Sequence, residues 1–318
     1  MTKYILEFEK PLRDLEKQIE AKKLSALERG QDRSREIAAL EKKLEAASVD
    51  FYKHLSRWQR VQMARHPERP YTLDYIDRIT SSWLELHGDR HFADDPAIVG
   101  GLATIDETRL MLIGQQKGRG TRDNLKRRFG MPNPEGYRKA LRLMKLAAKF
   151  NIPVVTFIDT QGAYPGIGAE ERGQAEAIAQ NLMAMSMLPV PIVSLVIGEG
   201  ASGGALGIGL CDRMLMLENT WFSVISPEGS ASILYRDAGM AKEAADAMKV
   251  APNDLVEMGL CDRILAEPAG GAHRDADATA ATVKAAILET LAELSSLPVE
   301  ELIKARMKRY ETVGQWTE

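Results

Sequence analysis

The chain has 318 residues, 45% of them apolar, with a formal net charge of −3. That is enough apolar material for one large α/β domain or two smaller ones, which excludes a disordered chain, and so small a charge gives no global pull toward nucleic acid or an anionic membrane. The two cysteines, Cys211 and Cys261, stand far apart and outside any C-x-x-C pair, which argues against a zinc ribbon or disulfide framework and fits a reducing, cytoplasmic setting.

The N-terminus is charged within a few residues and shows no apolar signal-peptide core, and no stretch approaches the roughly 18 apolar residues of a membrane helix. Residues 1–66 are rich in Glu, Lys, Arg and Leu. Leu12, Leu15 and Ile19, then Ile37, Leu40, Leu44 and Phe51, recur at helical spacing on either side of Gly30. The pattern predicts a helical hairpin that packs on the main domain or on a partner chain. It lacks the sustained heptads of a coiled coil.

His66-Pro67-Glu68-Arg69-Pro70 marks a boundary, because each proline disfavours helix in the residue before it. Residues 67–318 then alternate short apolar runs with helical stretches. Ala97 to Ile105 and Arg109 to Gly114 read as a strand pair, Gly136 to Phe150 as a basic amphipathic helix, and Ile152 to Asp159 as a buried strand. A helix from Glu170 to Met187, a strand from Val190 to Ile197 and another from Met214 to Leu217 follow. This order predicts right-handed crossovers and a mostly parallel sheet. The pentapeptide Gly-Leu-Cys-Asp-Arg occurs twice, at 209–213 and 259–263, where glycine is expected to end a helix in a left-handed conformation before a strand. Pro268 to Ala280 reads as a surface loop, and two helices, Thr282 to Leu294 and Val299 to Tyr310, close the chain.

Three segments could carry chemistry. Gly198-Glu199-Gly200-Ala201-Ser202-Gly203-Gly204 turns an apolar strand into a helix. Its glycines allow a sharp turn and close approach, and the free N–H groups of a helix start favour an oxyanion or enolate. The same glycines could serve tight packing alone. The segment also matches G-x-S-x-G, the nucleophile elbow of serine hydrolases, but only His273 follows Ser202 as a possible base. Asp159 to Gly173, containing Gly162-Ala163-Tyr164-Pro165-Gly166, is a second glycine-rich turn after a strand, able to line the same cleft. Its Glu170 and Glu171 could simply complement a helix dipole. Lys117 to Arg128 is a basic loop that could meet nucleotide-like phosphates or be a solvated face. There is no H-E-x-x-H, phosphate loop or metal-spaced cluster.

At these residues the chain resembles, end to end, the carboxyltransferase α subunit of bacterial multi-subunit acetyl-coenzyme A carboxylase. The resemblance rests on Arg69-Pro70-Tyr71-Thr72-Leu73-Asp74-Tyr75, Gly114-Gln115-Gln116-Lys117-Gly118-Arg119, Phe129-Gly130-Met131-Pro132, Gly162 to Gly166, Ser202 to Leu206 and Ser226-Pro227-Glu228-Gly229. It implies an α/β crotonase/ClpP-like spiral of ββα units behind the N-terminal helical segment. It also implies transfer of a carboxyl group from carboxybiotin, on the biotin carboxyl carrier protein, to acetyl-CoA. The product is malonyl-CoA, in the first committed step of fatty acid biosynthesis. The implied partners are a zinc-ribbon β subunit in an α2β2 heterotetramer and biotin carboxylase, with no metal in this chain. The implied oxyanion donors are the amides of Gly203 and Gly204. Gly162, Ala163, Tyr164, Gly166, Gly200, Ser202, Lys117 and Arg119 would bind substrate. The chain departs from the family pattern at Gln161, where proline is expected, at Ala201, which is tolerable only with negative φ, and at Ser230, where cysteine is frequent.

Overall fold

The computed structural model describes residues 4–314. Helices α1 (Lys10–Arg29) and α2 (Ser34–Lys53) form an antiparallel hairpin around Gly30, whose φ of 58° ends α1 in the left-handed conformation. Lys22–Glu36 and Lys23–Glu41 ion pairs join the two helices, and Leu12 and Ile19 are the buried residues of α1. Helix α3 (Arg57–Ala64) already lies against the body of the protein: Arg57 binds Asp254 and Arg60 donates to the carbonyl of Glu218. Helix α4 (Thr72–Ile79) leads into the strands β1 (Ser82–Glu85), β2 (Ile98–Ile105) and β3 (Thr108–Gln115).

Next come α5 (Gly120–Lys126), α6 (Pro134–Lys149), β4 (Val154–Thr160), α7 (Ile167–Glu171), α8 (Gln174–Ser186), β5 (Ile192–Ala201) and α9 (Ser202–Gly209). The chain continues through β6 (Arg213–Leu217), β7 (Trp221–Ser223), α10 (Pro227–Leu234), α11 (Ala241–Met248), α12 (Pro252–Glu257), β8 (Arg263–Leu265), α13 (Ala276–Ser295) and α14 (Val299–Glu311). The sheet order is β1-β2-β3-β4-β5-β6-β8, with β7 paired to the far end of β5. β2 is antiparallel to both its neighbours, β1 and β3, and the pairings from β3 onward are parallel.

Alternation along the strands builds the two faces of the core. Val193, Leu195 and Ile197 of β5 join Phe157 and Leu291 on one face, while Ile192 and Val196 join Ile158, Tyr137 and Met185 on the other. The hydroxyls of Thr156 and Ser194, both fully buried, satisfy each other across the strands at 2.7 Å.

Three local expectations are corrected. The helix expected from Glu170 is broken at Gly173, which takes φ 81° between α7 and α8. Pro268 to Ala280 is not a surface loop throughout: Gly270, Gly271 and Ala272 are buried, and α13 starts within the segment at Ala276. Its small residues let it tuck inward rather than stay solvated. In the repeated pentapeptide both copies stand between a helix end and a strand, as expected, but only Gly259 is left-handed and Gly209 is not. What the copies share is the aspartate. Asp212 accepts from the N–H of Ile192 and Asp262 from that of Met214, so each carboxylate ties its segment to the start of the neighbouring strand. Two arginines one turn apart on α14 then bind them, Arg306 to Asp212 and Arg309 to Asp262.

Candidate active site

Strand β5 does not turn at Gly198 as expected but runs on through Gly198 and Gly200 to Ala201. These two glycines serve close approach: a Cβ at Gly198 would overlap the Asp159 carboxylate, and one at Gly200 would overlap the ring of Phe222. The reversal itself falls on Ser202, with φ 61°. Ala201 has φ −115°, which meets the condition its methyl imposes, and it provides no side-chain cap for α9. The N–H groups of the first turn of α9, including Gly203 and Gly204, are therefore left at the positive end of the helix dipole without a capping side chain. A Cβ at Gly203 would meet only Ile178, at 3.4 Å, so this side is open.

The second turn follows β4. Gly162 takes φ 146°, and the Thr160 hydroxyl holds it by accepting from the Gly162 N–H at 3.0 Å and donating to the Gly162 carbonyl at 2.8 Å. Gly204 sits directly on Gly162 and Ala163, with no room for a Cβ. Gln115, at the end of β3, ties the turns together: its amide donates to the Gly204 carbonyl at 2.7 Å, and its side-chain oxygen accepts from the Asp159 N–H at 2.9 Å. Between the turns opens a cleft of ≈ 400 Å³ lined by Ala163, Tyr164, Gly166, Ile178, Ser202 and Gly203. The Tyr164 carbonyl is fixed by the Gln174 amide at 2.9 Å. The structure thus brings seven expected residues together: Gly162, Ala163, Tyr164, Gly166, Ser202, Gly203 and Gly204.

Lys117, Arg119 and Gly200 lie elsewhere. Lys117 is buried, its ammonium 2.6 Å from Asp159 Oδ1 and 2.7 Å from Glu199 Oε2, and it lines a separate cleft of ≈ 620 Å³ with Arg65, Tyr71, Phe129, Gln161 and Glu228. Burial works against the charge on Lys117, but the two carboxylates outweigh it and hold the ammonium well above the usual lysine range. Arg65 bridges Glu199, at 2.6 Å, to Glu228. Arg119 stacks over Tyr71, 4.5 Å from its ring centre, and binds Asp74. Arg127 and Arg128 of the basic loop are likewise paired, with Asp123 and Asp95. Arg128, Phe129 and Gly130 are all left-handed, a costly conformation for the first two residues, at the wall of the larger cleft.

Sequence reasoning assigned no role to Asp159, Glu199 or Arg65. The signal was present in two of them: each is an acid inside or ending an otherwise apolar strand, a position that needs a buried partner.

The hydrolase reading fails on geometry. No histidine lines the cleft of Ser202 among the described residues. His273 is stacked on His66 instead, ring centres 3.6 Å apart, and burial together with His66 pushes its pKa down to about 3.

Comparison with known proteins gives a consistent result. The family described as acetyl co-enzyme A carboxylase carboxyltransferase-like matches residues 5–314. The acetyl-coenzyme A carboxylase carboxyl transferase subunit alpha of Pseudoalteromonas atlantica is 56% identical, over 99% of each chain, and that of Chlorobium limicola 53% identical, again over 99% of each. Among solved structures, a Pseudomonas malonate decarboxylase hetero-tetramer in complex with coenzyme A aligns with a TM-score of 0.60 at 16% identity, covering 76% of this chain and 94% of that one. A transcarboxylase 12S aligns with a TM-score of 0.55 at 18% identity, covering 79% and 43%. At such identities these two show the fold, the crotonase-like spiral of ββα units.

Proposed function

The chain belongs to the acetyl co-enzyme A carboxylase carboxyltransferase family, as an α subunit, and from that membership we propose that its two facing turns form one half of the carboxyl-transfer site. The activity is that of a transferase, moving a carboxyl group onto acetyl-CoA to give malonyl-CoA. The observation that carries the site is the uncapped start of α9 facing an open cleft.

Carboxybiotin on its carrier protein would supply the carboxyl group and a ureido oxygen that accepts hydrogen bonds. The amides of Gly203 and Gly204 would hold that oxygen, aided by the dipole of α9. Donors fixed before the reaction need no reorganisation as charge develops, which is why such a pair is effective. The fit of the residues supports this: the donors are backbone groups, and the open side of Gly203 leaves room for a planar ring. Ala163, Tyr164 and Gly166 form the facing wall, with Ser202 at the edge. Gly162 supplies the positive φ of the second turn and Gly200 leaves room for the Phe222 ring; Lys117 joins Asp159 to Glu199, and Arg119 donates to the carbonyls of Pro67 and Arg69.

Transfer passes through two oxyanions, and this cleft contains one uncapped helix start. The second site comes from a β subunit in an α2β2 assembly, which works with the biotin carboxyl carrier protein and biotin carboxylase. Exposed Ile167 and Leu206, close in sequence to cleft-lining Gly166 and Gly203, support docking at the cleft mouth. We divide the chain into an N-terminal helical segment, residues 1–66, and a transferase domain, residues 67–318; within the first, the α1–α2 hairpin is the appended part and α3 packs on the domain. Cytoplasmic residence is supported by two free, buried cysteines. No helix among the described residues is long and apolar enough to cross a membrane.

The test is co-purification with a candidate β subunit, followed by assay of malonyl-CoA decarboxylation with free biotin as acceptor. The pair should be active and this chain alone inactive. An inactive pair would sink the proposal.

A further inference from the structure

Strands β4 and β5 pair regularly from Val154↔Ile192 to Ile158↔Val196, and the next pair is Thr160↔Gly200. Two residues on β4 are thus matched by four on β5, so the ladder breaks beside Asp159 and Glu199, just before both turns. Side chains bridge the break. Asp159 Oδ1 accepts from the Glu199 N–H at 3.0 Å, and Arg69 donates to the Ile197 carbonyl at 2.6 Å. Lys117 spans the gap, touching one carboxylate from each strand. Asp159 Oδ2 is buried and has no partner among the described residues, so Lys117 and the Glu199 amide are the groups that orient this carboxylate.

We propose that Lys117 is a positioning residue for carboxyl transfer: by clamping Asp159 to Glu199 it sets the spacing of the strand ends and so the aim of the Gly203 and Gly204 amides. The proposal rests on the half-site described above. Three features favour it over a binding role. The ammonium is consumed by two carboxylates, its side chain is buried, and the residues it joins each adjoin one of the two turns. Asp159 is three residues from Gly162, and Glu199 four from Gly203. Without the ammonium, Arg65 would remain on Glu199 but Asp159 would lose its ion-pair partner, and a buried carboxylate beside a like charge either moves away or takes up a proton. Movement would pull the turns apart; protonation would restore the spacing at lower pH.

The experiment uses Lys117→Met in the reconstituted complex. The expected result is normal co-purification with the β subunit, a kcat about 10–100-fold lower with KM for malonyl-CoA nearly unchanged, and partial recovery as pH is lowered. Hydrogen exchange on the chain alone should rise about tenfold or more in peptides covering 159–166 and 198–206 relative to α13. A kcat within twofold of wild type, or a uniform rise in exchange over the whole chain, would overturn the proposal. If Lys117→Met does not fold, Asp159→Asn takes its place, because it keeps an oxygen for the Glu199 N–H while losing the ion pair. The same kcat loss and local exchange are expected, and their absence would overturn the proposal too. An inactive wild-type complex would count against the carboxyltransferase half-site, while the exchange measurement would still judge Lys117.

Discussion

Gly204 rests on Gly162 so closely that a Cβ on Gly204 would overlap the carbonyl carbon of Gly162 and stand 2.7 Å from its Cα. The two turns therefore touch backbone to backbone. Gly203, one residue earlier, would meet only a flexible side chain. Gly204→Ala should push the turns apart and lower kcat by about 100-fold or more, the scale of a lost oxyanion donor. Gly203→Ala should keep the wild-type unfolding midpoint, since Ile178 can yield. Steady-state assay of the assembled complex and thermal unfolding of the chain check both. A Gly204→Ala variant with unchanged kcat would refute the facing-turn geometry.

Ser202 distinguishes amide chemistry from a serine nucleophile. Ser202 lines the cleft, and no histidine among the described residues lines it. Ser202→Ala keeps every backbone N–H, so transferase activity should fall less than about tenfold, whereas removing a true nucleophile costs roughly 10⁴–10⁶ in kcat. The decarboxylation assay measures the difference directly.

The parallel sheet, its crossovers and both glycine turns were legible because apolar runs and glycine clusters leave strong local signals. The path of the chain at Ser202 was not. Four glycines suggested that glycine makes the reversal, yet Gly198 and Gly200 answer to Asp159 and Phe222, contacts from distant segments. The partners of the basic loop were hidden for a similar reason. Lys117 and Arg119 read as cations waiting for an anion, and their actual partners, Asp159, Glu199 and Asp74, lie 42, 82 and 45 residues away in sequence. Charge is visible in a sequence; its neutralisation is a tertiary fact.

Arg306 anchors the last helix to the body. All five of its donor contacts are made, two to Asp212 at 2.8 and 2.7 Å and three to the carbonyls of Met185, Leu188 and Val190. Arg306→Met would leave Asp212 buried without its counter-charge and three carbonyls without donors. A loss of about 3–5 kcal/mol is expected in denaturant unfolding. Arg309→Met, whose partner Asp262 is more exposed, should cost clearly less. Equal losses would show that the deeper burial of the Arg306–Asp212 pair adds nothing to its hold on α14.

The stacked histidines give the stability a pH dependence that can be isolated. His66 meets the Tyr4 carbonyl, with Glu9, Glu68 and Arg274 around it, and His273 has Arg274, Arg69 and Glu267 nearby. Burial lowers both pKa values, and His66 further disfavours a proton on His273. The folded state thus binds fewer protons than the unfolded chain below the ordinary histidine value of 6.5. The contribution is complete above that pH and is lost as pH falls toward the folded value of about 3 for His273. His273→Phe keeps a ring on His66 but removes one titrating group. Unfolding midpoints at pH 7 should be similar for the two proteins. Between pH 6.5 and about 5 the wild type should lose more stability than the variant, and parallel curves would rule the stacked pair out as the cause.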